Sequence, residues 1–453
     1  MKFQRSLTVD ITLILGLRNL SSVRFVRGGP CSGELALIVL LLSLTFVVDA
    51  VAGFASRFSL SLGEGFSDNI FFEPKKEADF ATVIKPTFSI LYAPPGQTTP
   101  IFSADLTPEG QIFARHSKDS NFGQNTTFNA EYTHYYSPLL TFYVRDSLQR
   151  LGPTQQSGAS GFQKNTTILP PSGGGTGGPP LLHSFGDVVT NDNQVSNQIS
   201  ARGAYTYSPN LSFGGDYAFG YTSYLDQGGS DIWHRVGARG VYRYRDEHNL
   251  HFGYSADIIK TRDGDNNIVH NIDIGDDYFS TFKINLDPTL TVFASTGIGI
   301  VTGDGGVRLA NRINVEVTKL WQTATLIVGA NKGMTPSLGV AGISDTTSFF
   351  ANFNIRFTEL LSAYVNSDYS FYDTDDGNFK TFTAATGLRY QILSWLSTEL
   401  RYTYRWENDA GAAATCNNCV QSGKVNSNSI ALRFTANFDV WPTLGFTRGP
   451  AVP

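Results

Sequence analysis

The chain has 453 residues, with 34 Lys and Arg against 39 Asp and Glu, giving a formal net charge of −5. That balance excludes a nucleic-acid binder driven by bulk positive charge, and 41% apolar residues are too few for a bundle of membrane helices. With 16% charged residues, 13% aromatics and 45 glycines, the composition is that of a Gly- and aromatic-rich β protein, long enough for two or three soluble domains or one large barrel.

The first element is an apolar run over 35–48 (LALIVLLLSLTFVV), preceded by Arg24 and Arg27 and followed by the small-x-small site Ala50-Val51-Ala52. Fourteen residues are too few for a spanning helix, which needs roughly 20, but they suit the core of a signal peptide cut before Gly53. A buried helix or a membrane anchor is the alternative. The leader, residues 1–52, is longer than the usual roughly 15–30, which points to a start downstream of Met1 and leaves residues 1–30 without assigned meaning. Cys31 lies before the apolar run and lacks a lipobox-like context.

From about Arg57 the sequence repeats one theme: a strand of 9–13 residues with alternating side chains, a polar loop, a second such strand, a tight turn. Period-2 alternation marks a strand with two different faces. Over 211–221, Phe213, Gly215, Tyr217, Phe219 and Tyr221 oppose Ser212, Gly214, Asp216, Ala218 and Gly220. Over 398–406, Leu400, Tyr402, Tyr404 and Trp406 oppose Glu399, Arg401, Thr403 and Arg405. Strand centres fall near 61, 87, 108, 130, 144, 200, 216, 238, 254, 277, 295, 313, 328, 351, 367, 385, 400 and 432. That makes 18; the weakest segment is 101–114, broken by Pro108 and Gly110, and without it the count becomes 16.

Soluble sandwiches alternate too. The length of these strands, the polar phase rich in Arg, Asp and Asn, and the alternation of short and longer connections favour a transmembrane barrel, for which strands of ~9–11 residues suffice. The short turns resemble one another: Tyr136-Ser137-Pro138-Leu139, Tyr207-Ser208-Pro209-Asn210-Leu211, Leu286-Asp287-Pro288-Thr289-Leu290 and Phe357-Thr358-Glu359-Leu360-Leu361. Proline is tolerated there because the ladder ends there. Tyr135, Tyr136, Tyr205, Tyr207, Phe213, Tyr242, Tyr244, Tyr402 and Tyr404 read as an aromatic girdle beside these turns. The longest connection, 150–194, contains SGGGTGGPP and reads as an outer surface loop.

The opening of the mature chain, Gly65-Phe66-Ser67-Asp68-Asn69-Ile70-Phe71-Phe72 followed by Ala78-Asp79-Phe80-Ala81-Thr82-Val83-Ile84-Lys85-Pro86, resembles a loosely defined group of bacterial outer-membrane β-barrel proteins. These are porin-like, and some are associated with exosortase or exopolysaccharide systems. The resemblance covers about 30 residues and implies a barrel beginning near residue 57; the group has no shared catalytic set, so no functional residue carries over.

Seven histidines are present (His116, His134, His183, His234, His248, His251, His270), none in a metal-site spacing such as H-E-x-x-H. Asp263-Gly264-Asp265-Asn266-Asn267 and Asp373-Thr374-Asp375-Asp376-Gly377-Asn378 depart from the calcium-loop pattern and read as solvated exterior loops. Thr302-Gly303-Asp304-Gly305-Gly306 reads as a turn. Cys416 and Cys419, the only cysteines after the leader, could close a small loop disulfide in an oxidising envelope or stay free; a zinc site lacks its other ligands.

The polar phase is the informative chemistry. It carries Arg145, Arg202, Arg239, Arg243, Arg312, Arg356, Arg389, Arg401, Arg405 and Arg433, with the acids Glu131, Asp216, Asp257, Glu316, Asp368 and Glu399. Ten cations against six acids leave four positive charges. Cross-strand bracing explains part of this set; a wall that favours anions explains the rest. The expectation is an all-β antiparallel up-and-down barrel of 18 strands (16 possible) over 53–446, with a tail at 447–453, in the bacterial outer membrane. Its expected role is a pore for passive diffusion or export of small polar, mildly anion-preferred solutes, with membrane lipid as its surroundings. No cofactor, no metal, no nucleic acid and no catalytic set are expected. The rivals are a barrel serving an exopolysaccharide or secretion system, a barrel enzyme, and a secreted soluble β protein.

Overall fold

The computed structural model describes residues 54–70, 75–94, 100–151, 193–225, 228–245, 248–260, 266–281, 289–303, 306–336, 343–374, 377–409 and 424–439. The expected leader, most of loop 150–194, the Cys416/Cys419 pair, the tail and the turn at 286–288 lie outside them. The described residues belong to one compact unit, 48–453.

Eighteen strands follow one another in chain order. They are β1 (Phe54–Ser67), β2 (Asp79–Tyr92), β3 (Phe102–Phe113), β4 (Asn121–Ser137), β5 (Leu140–Leu151) and β6 (Gln194–Ser208). Next come β7 (Leu211–Tyr224), β8 (Ser230–Arg245), β9 (His248–Lys260), β10 (Asn266–Thr281), β11 (Thr289–Gly303) and β12 (Gly306–Leu320). The last are β13 (Ala324–Pro336), β14 (Ile343–Arg356), β15 (Leu361–Thr374), β16 (Gly377–Leu393), β17 (Leu396–Asp409) and β18 (Lys424–Asp439). Each pairs antiparallel with its sequence neighbours, and β1 pairs with β18 from Arg57↔Asp439 to Ser67↔Ser429. The sheet therefore closes on itself and leaves no terminal strand edge. In hydrocarbon that matters, because each unsatisfied N–H or C=O costs several kcal/mol. Every strand centre read from the alternation falls inside an observed strand, the doubtful 101–114 segment included.

The alternation sorts side chains to two faces. Along β7 the pattern places Phe213 and Tyr217 outward and exposed, with Ser212, Ala218, Gly220 and Thr222 inward and buried. In β9, Leu250, Phe252, Tyr254 and Ile258 face out while His251, Gly253, Ser255 and Asp257 face in. The exposed outer face is apolar around the cylinder: Leu62, Val144, Ile199, Val236, Ile272, Ile298, Val328, Val365, Leu400 and Leu432 among others. An aqueous protein does not display that much contiguous hydrocarbon.

Six of the eight connections at one end are two to four residues long. Ser137 Oγ accepts hydrogen bonds from the N–H groups of Leu139 (3.2 Å) and Leu140 (3.1 Å), and Thr358 Oγ1 accepts from Leu360 (3.2 Å) and Leu361 (3.0 Å). These hydroxyls satisfy donors that the ladder leaves over at its end. The other end carries connections of variable length, from the two residues between β15 and β16 to the 42 residues between β5 and β6. The second acidic segment is thus a hairpin tip, with Asp373 paired to Asn378 and Thr374 to Gly377. Around 302–306, Gly303 pairs with Gly306, whose φ of 93° suits only glycine well.

The aromatic girdle needs one correction. Tyr135, Tyr136, Tyr205, Tyr207, Phe213, Tyr242 and Tyr244 stand near the short-turn end with exposed rings, joined by Trp321, Phe357, Tyr390 and Trp395. Tyr402 and Tyr404 do not belong to it: β17 leaves its short turn at Leu396, so both lie far up the strand.

The ladder between β2 and β3 is interrupted. Pairs run from Ala81↔Phe113 to Ile84↔Gly110 and resume at Phe88↔Leu106. The midpoint of the gap sets Pro86 opposite Pro108, and neither has an N–H to give. Inside the wall, Thr87 and Thr107 hydroxyls meet at 3.0 Å and Lys85 Nζ reaches Glu109 Oε2 at 3.5 Å, so side chains bridge where the backbone does not. Gly110 is fixed by a different demand, since the Phe122 ring lies where a Cβ would sit. Replacing both prolines by valine should restore two ladder hydrogen bonds and stabilise the barrel by about 1–3 kcal/mol. The check is a higher temperature for conversion of the fast-migrating folded band on a gel.

Candidate functional site: the inner face of the barrel

The register places all sixteen charged residues singled out above on the inward phase. Glu131 faces Arg145, Arg202 faces Asp216, and Glu399 faces Arg389 on one side and Arg433 on the other. Inward positions on the remaining strands hold Arg239, Arg243, Asp257, Arg312, Glu316, Arg356, Asp368, Arg401 and Arg405. The inward phase also holds charges outside the set the sequence pattern marks: Arg57, Lys85, Arg235 and Arg308, with Asp79, Asp105, Glu109, Asp231, Asp273 and Glu407. Four more cations and six more acids make fourteen against twelve among the inner residues whose side chains are described. Within that set the positive excess is two rather than four.

Several of these charges are arranged as pairs. In the most buried group, Arg235 donates from Nη2 to Asp257 Oδ2 at 3.0 Å, and its Nε lies 2.9 Å from Oδ1 as an ion-pair contact without hydrogen-bond alignment. Asn271 Nδ2 donates to the same Oδ2 at 3.0 Å. Arg235 was missed because β8 begins at Ser230, several residues before the alternation becomes clear at Val236. One row further, Arg312 Nη1 lies 3.5 Å from Asp273 Oδ1, and His251 stacks on Phe293 at 5.2 Å with 8° between the rings. Arg239 covers the same ring at 5.9 Å. Glycines make room for this layer: a Cβ on Gly237 would sit 2.5 Å from Asp216 Oδ1, and one on Gly253 2.8 Å from the Asp273 carboxylate. The acids therefore lie flat along the wall.

The opposite wall differs. Glu399 is flanked across the sheet by Arg389 and Arg433, and Arg401 follows two residues along its own strand. Arg389 Nη2 is 3.5 Å from Glu399 Oε2, and Tyr364 donates its hydroxyl to Oε1 at 2.6 Å. Around Glu399, therefore, three guanidinium groups stand against one carboxylate among the described side chains. Elsewhere Arg145 meets Glu131 at 3.5 Å, Ser370 donates to Asp368 at 3.1 Å, and Thr318 donates to Glu316 at 3.4 Å.

The histidines are dispersed. His134, His234 and His270 are on the outward phase, each with Nδ1 near a tyrosine hydroxyl (Tyr132 3.2 Å, Tyr217 2.9 Å, Tyr254 2.9 Å). His248 Nδ1 lies 2.7 Å from Asp276; His183 lies outside the described residues. Among the described residues, no group of three or more His, Cys, Asp or Glu is placed to hold a metal ion.

At the long-loop end His116 clamps two connections together. Its Nδ1 is 2.8 Å from Asp79 Oδ2 and its Nε2 2.9 Å from Glu77 Oε2, while Asp79 also accepts the N–H groups of Arg115 and His116. The Asp79 hydrogen bond raises the imidazole's pKa above its ordinary value. A raised pKa means that the clamp contributes fully below the ordinary imidazole value of about 6.5 and is lost as pH rises through the folded value. Proteolysis of the 114–120 connection should therefore quicken with rising pH, and His116→Gln should remove that dependence.

A closed antiparallel cylinder, apolar outside and charged inside, is a transmembrane β-barrel of the bacterial outer-membrane type. No family model and no curated protein matches the chain. Among solved structures it is similar to OccAB3 of Acinetobacter baumannii (14% identity, TM-score 0.44, covering 86% of this chain and 100% of that one). It is also similar to OpdL of Pseudomonas aeruginosa (10% identity, TM-score 0.45, 86% and 100%). A third is OpdK of Pseudomonas aeruginosa, solved with vanillate (12% identity, TM-score 0.42, 84% and 99%).

Proposed function

We propose that the barrel is an outer-membrane channel for passive movement of small polar solutes, with a mild preference for anions. Supporting this, an 18-strand cylinder is wide enough for an aqueous passage, as 16–18-stranded porins illustrate. The sixteen residues named from the sequence, with Arg57, Lys85, Arg235 and Arg308, line that passage. The carrying observation is the uneven inner charge: Asp257 and Asp273 on β9 and β10 each meet an arginine, whereas Arg389, Arg401 and Arg433 all surround Glu399. A cationic patch on a low-dielectric wall raises the local concentration of anions. The role is transport, not catalysis.

Conductance of the refolded protein in a planar bilayer tests the reading. The expected result is discrete channel steps whose reversal potential in a salt gradient lies on the anion side. A clear cation preference, or no conductance at all, overturns it.

A further inference from the structure

The wall has one place where neighbouring strands part. β12 pairs with β11 along its whole length, from Gly303↔Gly306 to Thr289↔Leu320. With β13 it pairs only from Ile313↔Lys332 to Leu320↔Thr325. Continuing that register would set Arg312, Asn311, Ala310 and Leu309 opposite Gly333, Met334, Thr335 and Pro336. None of these four pairs forms, although β13 stays paired with β14 as far as Pro336↔Ile343. The upper part of β12 therefore borders a cleft in the half of the wall nearest the long connections.

Three observations define the chemistry of this cleft. Its outer lip is apolar and unusually bare: Val307 and Leu309 are 70% and 72% exposed, against 37–53% for Ile268, Ile272 and Ile298 on the adjoining strands. Second, Met334 packs against the buried cluster of Ala218, Trp233, Ile259, Val269 and Val301, all inward side chains of β7–β11. Strict alternation from Gly333 would turn Met334 outward, so its side chain departs from the phase of its strand and connects the cleft with the inner cluster. Third, the inner margin is basic. Arg308 and Arg312 face inward on β12, and Arg312 Cγ lies 3.4 Å from the position a Cβ on Gly333 would take, at the foot of the cleft.

We propose that the cleft is a lateral port between the lumen and the outer leaflet for an amphiphile with an anionic head and a single apolar chain. The chain would displace Met334 and run from the Trp233 cluster to the Val307/Leu309 lip without meeting water. The head would stay beside Arg308 and Arg312. Keeping the chain apolar throughout removes the cost of wetting it, and an unpaired strand edge facing lipid is too costly to be incidental. This route is separate from the axial one proposed above.

The test uses the full-length protein, with Cys31, Cys416 and Cys419 replaced by serine, in lipid bilayers, and dodecanoate carrying a photoreactive diazirine at the chain end. Label is expected to concentrate on Val307, Leu309 and Met334. It should be lost when Asn311→Cys and Met334→Cys are joined by a short bis-maleimide, and weakened by Arg308→Gln. The uncharged alcohol of the same chain length should label these residues no more than the rest of the apolar belt. Axial conductance should survive the cross-link. Label spread evenly over the belt, or unchanged by the cross-link, overturns the port. Absence of conductance in the unlinked protein overturns the channel reading alone, because the labelling pattern is read independently of it.

Discussion

Replacing Arg235 by alanine should destabilise the folded barrel by about 3–5 kcal/mol, the usual cost of leaving a buried charge without its partner. Arg235 and Asp257 are 5% and 8% exposed and meet through two N···O contacts of 2.9 and 3.0 Å. Without the guanidinium, the carboxylate keeps Asn271 as a donor at 3.0 Å but loses its counter-charge. Arg235→Lys should recover only part of the loss, because a compact ammonium cannot lie along both carboxylate oxygens as the planar guanidinium does. Arg235→Leu combined with Asp257→Leu should lie near the wild type, since an apolar pair of similar volume needs no compensation. The temperature at which the folded gel band converts to the unfolded one measures all of these. A stable alanine variant would mean that water reaches the pair and that β8–β10 are not braced by it.

Neutralising two cations of the opposite wall should abolish the anion preference. Arg389 and Arg433 face Glu399 from either side, and together they equal the excess of fourteen cations over twelve acids among the inner residues whose side chains are described. Arg389→Gln with Arg433→Gln should move the reversal potential in a salt gradient to near zero, while the lysine pair should leave it in place. The measurement belongs at low salt, because at 0.1 M the screening length is only about 10 Å. An unchanged potential in the glutamine pair would place the selective step elsewhere along the passage. The two experiments separate roles that one residue type plays here: Arg235 braces, whereas Arg389 and Arg433 attract.

The sequence by itself determined the strands and their two faces. Side chains on a strand alternate with a period of two whatever the neighbours are. The alternation therefore located β3 despite Pro108 and Gly110, and it put Arg145, Asp216, Glu399 and Arg433 on one face. Alternation weakens where a strand rises into its loop, so Arg235 at the start of β8 and Glu407 at the end of β17 were passed over. The charge excess was overestimated because acids such as Asp273 and Glu109 lie on segments whose polar phase was not counted. Only the tertiary structure decided which charges cancel. Pairing depends on register between strands, and register is fixed by turns, bulges and closure of the whole cylinder. The same holds for the gap at Pro86/Pro108 and the cleft above Ile313 and Lys332: the interruption exists only between two strands and cannot be read from either one alone.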